Sequence, residues 1–210
     1  MTSIDWQAWK TTALQNELDN LYSRQDLGET SLLKDKKAVG FYVSFNRIFD
    51  HKGNLIKKKV KICTQGLSQK YGIDYQSIYS PTGKFRLLRC LLTIGALKDL
   101  NINHMDVVAA FLNPKLIDDS YMNIPPFIPK YQEEIVWKLR KPLYRLKQAS
   151  RYWYLDISNY FKSIELNPSN SDPCLFISTD PDWECYLHVH IDDLKIVSNN
   201  VKQLKKLIEV

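Results

Sequence analysis

Two alternating apolar runs, YLHVHI (186–191) and LKIVS (194–198), are separated in this sequence only by Asp192-Asp193. Strict alternation reads as half-buried strand, and so short a break leaves room only for a tight antiparallel hairpin. A carboxylate pair in such a turn is costly unless a cation or water neutralises it. Asp106 ends a second apolar stretch, 101–108. If the two strands are neighbours, three carboxylates converge in the hard-oxygen setting that Mg²⁺ prefers alongside a phosphate ligand. Two such ions, roughly 4 Å apart, activate a hydroxyl nucleophile and stabilise a departing pyrophosphate. The local pattern leaves a plainer alternative open: Asp192-Asp193 as an ordinary β-turn and Asp106 as the cap of the turn that follows it.

The rest of the chain surrounds this hairpin with mixed elements. Residues 5–22 read as an amphipathic helix carrying Trp6, Trp9, Ala13, Leu14, Leu18 and Leu21, with Ser3 or Asp5 as its cap. The polar stretch 23–37 reads as a loop. Residues 38–49 and 55–64 read as the two strands of a hairpin turning at His51-Lys52-Gly53-Asn54, its lysines gathered toward the turn. After Pro81, a helix over 84–99 presents Phe85, Leu88, Leu92 and Ala96. Strands follow at 101–108, 135–140, 174–178 and 184–198, with a turn at 109–112. A helix over 147–164 turns Trp153, Ile157, Tyr160, Phe161 and Ile164 inward. The irregular alternation predicts an α+β fold with an antiparallel sheet rather than a doubly wound one. All seven glycines lie at or before Gly95, so left-handed backbone positions in the later part must fall to other residues.

With 44% apolar and 25% charged residues the chain is composed to fold rather than remain disordered, and no apolar run reaches the ~18 residues that would span a membrane. Cys63, Cys90, Cys174 and Cys185 show no CxxC spacing and no secretory signal precedes them, so they read as reduced, mostly core residues of an intracellular protein. Cys185, His188 and His190 invite a zinc reading, but in a strand Cys185 faces away from both histidines. The net charge of +6 is concentrated: nine Lys/Arg between Lys34 and Lys61, and six between Lys138 and Arg151. The two stretches either line one groove along a phosphate backbone or form two solvated faces.

Six ordered blocks carry a family resemblance. HMDVVAAFLN (104–113) resembles the copia-type Q-M-D-V-K-T-A-F-L-N-G motif, HIDDLKIVS (190–198) the Y-V-D-D block, and RKPLYRLKQASRYWY (140–154) the K-S-L-Y-G-L-K-Q-A-P-R-Q-W-Y block. VKICTQGLSQKYGIDYQSIYSP (60–81), SDPCLFI (171–177) and the opening DWQAWKTTALQNELDNL match further blocks in order. The chain is thereby identified as similar to the reverse transcriptases of copia-type LTR retrotransposons, over about residues 4–205. The resemblance implies a right-hand polymerase fold, with an N-terminal helix and fingers hairpin in 1–80, and a palm with interleaved fingers elements in 81–210 that stops before a thumb. It implies that Asp106 and Asp192, with the Val107 backbone, hold two Mg²⁺ ions (Mn²⁺ as a substitute) and that Asp193 lies beside them. It also implies that Lys59 and Lys61 reach the triphosphate, that the amides of Ala109 and Ala110 cradle it, and that Phe111 excludes a ribose 2′-hydroxyl. His190, Lys147, Gln148 and Arg151 would meet the template and primer. The partners implied are an RNA or DNA template with its primer and deoxynucleoside triphosphates, in a cytoplasmic particle or the nucleus, with no membrane.

Several positions depart from the motifs. Arg145 replaces the glycine of L-Y-G-L-K-Q, Pro114 that of F-L-N-G, His190 the tyrosine before V-D-D, and Val108 the lysine of D-V-K; Lys195, Lys61 and Gln65 also differ. With the chain ending at Val210, this pattern reads as a truncated or decayed copy. The expected function is RNA-directed DNA polymerisation. The alternatives are a non-catalytic remnant binding nucleic acid through its basic runs, and a two-metal phosphodiesterase, against which Phe111 argues.

Overall fold

The computed structural model describes residues 9–128 and 134–200. The expected helix start at residues 5–8, with Trp6 and the caps Ser3 and Asp5, lies outside them, as does the segment after residue 200. The described residues fall into two compact units, one within 1–78 and 111–152, the other within 79–110 and 153–210.

In the first unit a π-helical turn, Trp9–Leu14, runs into helix α1, Gln15–Ser23. Its apolar side is anchored by Trp9, Leu14, Leu18 and Leu21, all buried. Trp9 meets Phe45 edge-on at 5.4 Å, and the Lys58 ammonium lies 5.4 Å from the Trp9 ring. The stretch expected to be a loop contains strand β1, Leu27–Ser31. Four of its five residues are polar or glycine, so periodicity hides it; its partner β7, Ile135–Leu139, pairs with it from Leu27↔Leu139 to Ser31↔Ile135. The strand expected over 38–49 is broken at Gly40 into β2, Ala38–Val39, and β3, Phe41–Phe49. The carbonyl of Gly40 accepts from the Gln65 amide (2.8 Å). β2 joins β6, Ser120–Asn123, in parallel, giving a mixed sheet of order β1-β7-β6-β2, while β3 forms a separate antiparallel hairpin with β4, Leu55–Thr64.

The second unit is an antiparallel five-stranded sheet of order β5-β11-β10-β9-β8. Its strands are β5 (Asn101–Asp106), β8 (Leu166–Pro168), β9 (Leu175–Ser178), β10 (Cys185–His190) and β11 (Asp193–Ser198). Two helices cover it. From α3, Ala149–Ser163, the buried Trp153, Ile157 and Phe161 face the sheet, and Phe161 stacks edge-on against Phe176 at 5.0 Å. Helix α2, Phe85–Leu97, packs Leu91 against Leu175 and Val197. Leu175 and Phe176 are strand neighbours and point oppositely, so the helices lie on opposite faces. The stripe expected on α2 is displaced: Phe85 is 63% exposed and Leu92 37%, whereas Leu91 and Gly95 are buried. A Cβ at Gly95 would lie 2.9 Å from the Val197 Cγ1, so the smallest residue marks the true contact face. Among the cysteines, Cys63, Cys174 and Cys185 are buried and Cys90 is exposed on α2, in line with thiols that are mostly, not all, in the core.

After Gly95 the left-handed positions indeed fall to other residues: Asp99, Ala109, Arg145, Glu165 and Ile191 have φ between 53° and 66°. A side chain there costs roughly 1–2 kcal/mol. Glu165 is exposed just past α3, where glycine is the usual terminator. Glu165→Gly should therefore stabilise the protein by about 1 kcal/mol, after allowing for the added freedom of the unfolded chain. A rise of roughly 2–4 °C in Tm by scanning calorimetry, with no rise for Glu165→Ala, is expected.

Candidate active site

The acidic end of the second unit is built by two strand alignments. β11 pairs with β5 so that Asp193 lies opposite Asp106, Leu194 opposite Met105 and Lys195 opposite His104. The ladder extends one step further, where the Val107 amide donates to the Asp192 carbonyl (2.9 Å). Residues directly opposite in an antiparallel pair share a face with Cβ atoms roughly 4.5–5.5 Å apart. Asp106 and Asp193 therefore project from one side, and Asp192 sits in the adjoining turn. Across β10, His190 is opposite Asp193, with its ring against Phe85 (centroids 5.0 Å) and Nδ1 3.3 Å from the Gly83 carbonyl. Helix α2 touches this face near His190 and at Val197 and Ile102, and Asp106 and His104 remain exposed.

The turn itself is strained. Ile191 has φ 62°, which is a steric outlier for a β-branched residue. Its carbonyl accepts a 2.7 Å hydrogen bond from the indole N–H of the buried Trp153. Helix α3 thus holds the backbone immediately before Asp192. Replacing Trp153 with Phe keeps most of the packing and removes that bond, and should cost about 1 kcal/mol, read as a lowered urea midpoint.

His104 is the member of this corner that sequence reasoning missed, although its place two residues before Asp106 on the same strand face was a usable signal. Its Nε2 lies 2.6 Å from Asp193 Oδ1. The contact with His104, helped by the charge of Lys195, holds the Asp193 carboxyl below the usual carboxylate range. Among the described residues, no group of three or more His, Cys, Asp or Glu side chains is arranged to enclose a metal ion. This covers the Cys185/His188/His190 trio as well.

The other residues singled out in the sequence are less alike. Ala109 is left-handed (φ 53°) and Ala110 is buried. In the first unit, Lys59 is exposed on β4, the Lys61 ammonium lies 4.2 Å from the Tyr144 ring centroid, and Phe111 is half-buried. Lys147 donates through its ammonium to the Gln69 carbonyl (3.0 Å), and Arg151 is half-buried. Gln148 requires a correction. It is fully buried, accepting from Gln69 Nε2 (3.1 Å) and donating to the Asp74 carbonyl (3.2 Å), so it fixes the 69–74 segment and presents no surface to a strand of nucleic acid. Arg145, at the glycine position of its block, has φ 66° and lays its guanidinium 4.5 Å from the Tyr42 ring centroid. With Lys147, Tyr42 and Gly66 it borders a cavity of about 600 Å³. A Cβ at Gly66 would come within 2.1 Å of the Arg145 carbonyl, so residue 66 must be glycine.

Residues 28–210 match the family described as reverse transcriptase (RNA-dependent DNA polymerase). The chain belongs to this family. Its relatives place it among the copia-type retrotransposon reverse transcriptases. It is 36% identical over 172 residues to the retrovirus-related Pol polyprotein from transposon RE1 of Arabidopsis thaliana, covering 81% of this chain and 12% of that polyprotein. It is 32% identical over 197 residues to that from transposon TNT 1-94 of Nicotiana tabacum, covering 93% of this chain and 15% of the polyprotein. A transposon Ty1-BL Gag-Pol polyprotein of Saccharomyces cerevisiae is 22% identical over 194 residues, 92% of this chain and 10% of its own length. The chain thus spans a small fraction of the polyproteins it matches.

In this reverse transcriptase domain, His104→Gln restores the residue of the family motif and withdraws the histidine contact. The Asp193 carboxyl should then titrate higher, as followed by carboxyl-carbon NMR. Because its pKa is depressed on folding, the contact stabilises the native state above the ordinary carboxylate range and is lost as pH falls through the depressed value. In His104→Gln that acid-side loss of stability should shrink.

Proposed function

We propose that this domain is built for RNA-directed DNA polymerisation, the addition of deoxynucleotides to a primer 3′-hydroxyl on an RNA or DNA template, and that Arg145, in place of the family's glycine, blocks synthesis in this copy. The observation that carries the reading is the register that sets Asp106 opposite Asp193 with Asp192 in the adjoining turn. Mg²⁺ is usually held by one or two carboxylates together with substrate phosphates rather than by an all-protein cage, so an exposed, open pair of hard-oxygen donors fits it. Asp106 and Asp192, with the Val107 carbonyl, would hold two divalent ions, Mg²⁺ or Mn²⁺. When bound, such ions activate the hydroxyl nucleophile and neutralise charge on the leaving pyrophosphate.

The chain's own residues then bind and orient. The left-handed Ala109 turns its own and the Ala110 amide into an anion-binding concavity for the triphosphate. Lys59 and Lys61 of the β3–β4 hairpin supply cations to the phosphates, and Phe111 selects against a ribose 2′-hydroxyl. His190, Lys147 and Arg151 meet primer and template. In this reading the β3–β4 hairpin belongs to the fingers, within 1–80, and the five-stranded sheet to the palm, within 81–210. The reaction takes place inside the cell, in a cytoplasmic particle or the nucleus.

A second reading, nucleic-acid binding without synthesis, is favoured by Arg145. Its left-handed backbone and Tyr42 stack place a cation where the family's motif has glycine. The two readings separate in one experiment. Mn²⁺ should broaden the NMR signals of residues 106 and 191–193 in the native chain, and Asp106→Asn or Asp192→Asn should abolish the effect. On poly(rA)/oligo(dT) with dTTP, the native chain should incorporate at or near the level of an Asp192→Asn blank. Arg145→Gly should bind dTTP more tightly and add nucleotides above that blank. Absence of Mn²⁺ broadening at the acidic end would overturn the polymerase assignment. Intact broadening without incorporation by Arg145→Gly would favour the second reading.

A further inference from the structure

The basic run 138–151 does not line one surface. Arg145 and Lys147 border the cavity beside Tyr42, whereas Lys138, Arg140 and Lys141 open on another cavity of about 420 Å³, together with Arg24 and Lys115 from distant parts of the chain. The two cavities have no lining residue in common. Backbone hydrogen bonds fix the second one: the Arg140 amide donates to the Asp26 carbonyl (2.9 Å), and the Leu116 amide to the Arg140 carbonyl (2.9 Å). The cations therefore project from a rigid junction of three segments rather than from a loop.

Their charge is incompletely neutralised. Asp119 takes Lys138 at 2.7 Å. Asp26, fully buried beneath, is shared between Lys141 (3.2 Å) and the Arg24 Nε (3.5 Å). Asp118 accepts from the neutral Tyr152 hydroxyl at 3.0 Å. Among the described residues no carboxylate pairs with Arg140 or Lys115. The Arg24 guanidinium is oriented by the Leu112 carbonyl (3.0 Å) and Asn113 Oδ1 (2.8 Å), to both of which it donates. Five cations thus meet three carboxylates at one concavity, with the exposed Ile117 at its rim. Fixed cations in excess, with a planar guanidinium among them, suit phosphate oxygens.

We propose that this cavity is a second nucleic-acid contact, in which Arg140 and Lys115 take the phosphodiester backbone of a bound strand. Binding here needs neither a metal ion nor the acidic end of the other unit, so it stands or falls independently of polymerisation. Several cations across an open concavity suit a polyanion better than a single small anion, because each neutralised phosphate releases condensed counterions.

The test uses the full chain in EDTA with a fluorescent single-stranded oligonucleotide, read by anisotropy across a salt series. The double charge reversal Lys115→Glu/Arg140→Glu should weaken binding by about tenfold or more and reduce the slope of log affinity against log salt by about 1.4. Lys162→Glu, a single reversal on the exposed side of α3, should leave affinity within about twofold, whereas Arg140→Glu alone should cost several-fold and Arg140→Lys should retain most of the affinity. Circular dichroism and Tm matched to the native chain show that the variants fold; if the double reversal does not, single Arg140→Ala is read in its place. Equal losses in Lys162→Glu and the double reversal would overturn the proposal, as would oligonucleotide binding that vanishes in EDTA. NMR perturbation of Lys115 and Arg140 by the oligonucleotide, and not by millimolar inorganic phosphate, is the expected pattern. Perturbation by phosphate alone would overturn the nucleic-acid assignment in favour of a free-anion site.

Discussion

The alignment of β5 on β11 is the constraint on which the acidic end depends. A slip of one residue would carry Asp106 to the opposite face and leave Asp193 across from a neighbour instead. β5 can do little to prevent this, since NINHMD has only two apolar residues and most of it is exposed. The register is held from the other side. Leu194, Ile196 and Val197 of β11 are buried, and Gly95 lets α2 settle onto Val197 and Ile102. The Leu100 amide then closes onto the Gly95 carbonyl (2.9 Å), fixing where β5 begins. At the far end, Trp153 ties down the strained Ile191. The polar corner is thus positioned almost wholly by apolar contacts a few residues away.

The uneven placement of glycine has two physical consequences. Where glycine remains, it often answers a need for space: at Gly66 and Gly83 an added Cβ would strike a backbone carbonyl at 2.1 and 2.4 Å. Gly83 sits against His188 and Val189, on the strand that carries His190. Where backbone rotation alone is required, glycine serves at Gly53 and Gly72, and other residues have taken the role elsewhere, Ile191 and Arg145 among them. Left-handed strain at a steric outlier is tolerable only when neighbouring structure over-determines the conformation. The indole bond to Ile191 and the guanidinium–ring contact of Arg145 with Tyr42 supply that at two of the five positions.

Elements with long, clean patterns were legible in the sequence. The β10–β11 and β3–β4 hairpins and helix α3 lie within a few residues of where alternation and helical spacing put them. The short strands β1, β6 and β8 were not, because three to five residues of mixed polarity carry no period and their pairing is decided by distant partners. The parallel pairing of β2 with β6 is likewise non-local. On α2 the helix was legible and its face was not, because bulk was read as burial while the contact is made through Leu91 and Gly95. For the candidate site, local sequence offered only three separate acids. Their adjacency needed either the family motifs or the sheet, and His104, whose place on the Asp106 face was legible, drew notice only through its contact with Asp193. Gln148 resembled a polar surface residue and is a core hydrogen-bonding hub.

The β3–β4 hairpin is a two-stranded sheet, so among the described residues each strand has an outer edge that no third strand covers. Such edges recruit strands from other molecules unless something deters them. Near the body of the unit β4 is closed off, with the Ile62 amide given to Glu17 and the Thr64 amide to the Tyr144 carbonyl. Among the described residues no further backbone closure of this kind is seen on β4 toward the turn, where Lys57, Lys58 and Lys59 fall. Whatever these lysines contribute to ligand binding, charge of this kind deters edge-to-edge pairing of a long, apolar-flecked ribbon. A variant that strips them to weaken phosphate contacts would also remove that deterrent, and loss of binding would then be confounded with self-association through the exposed edge.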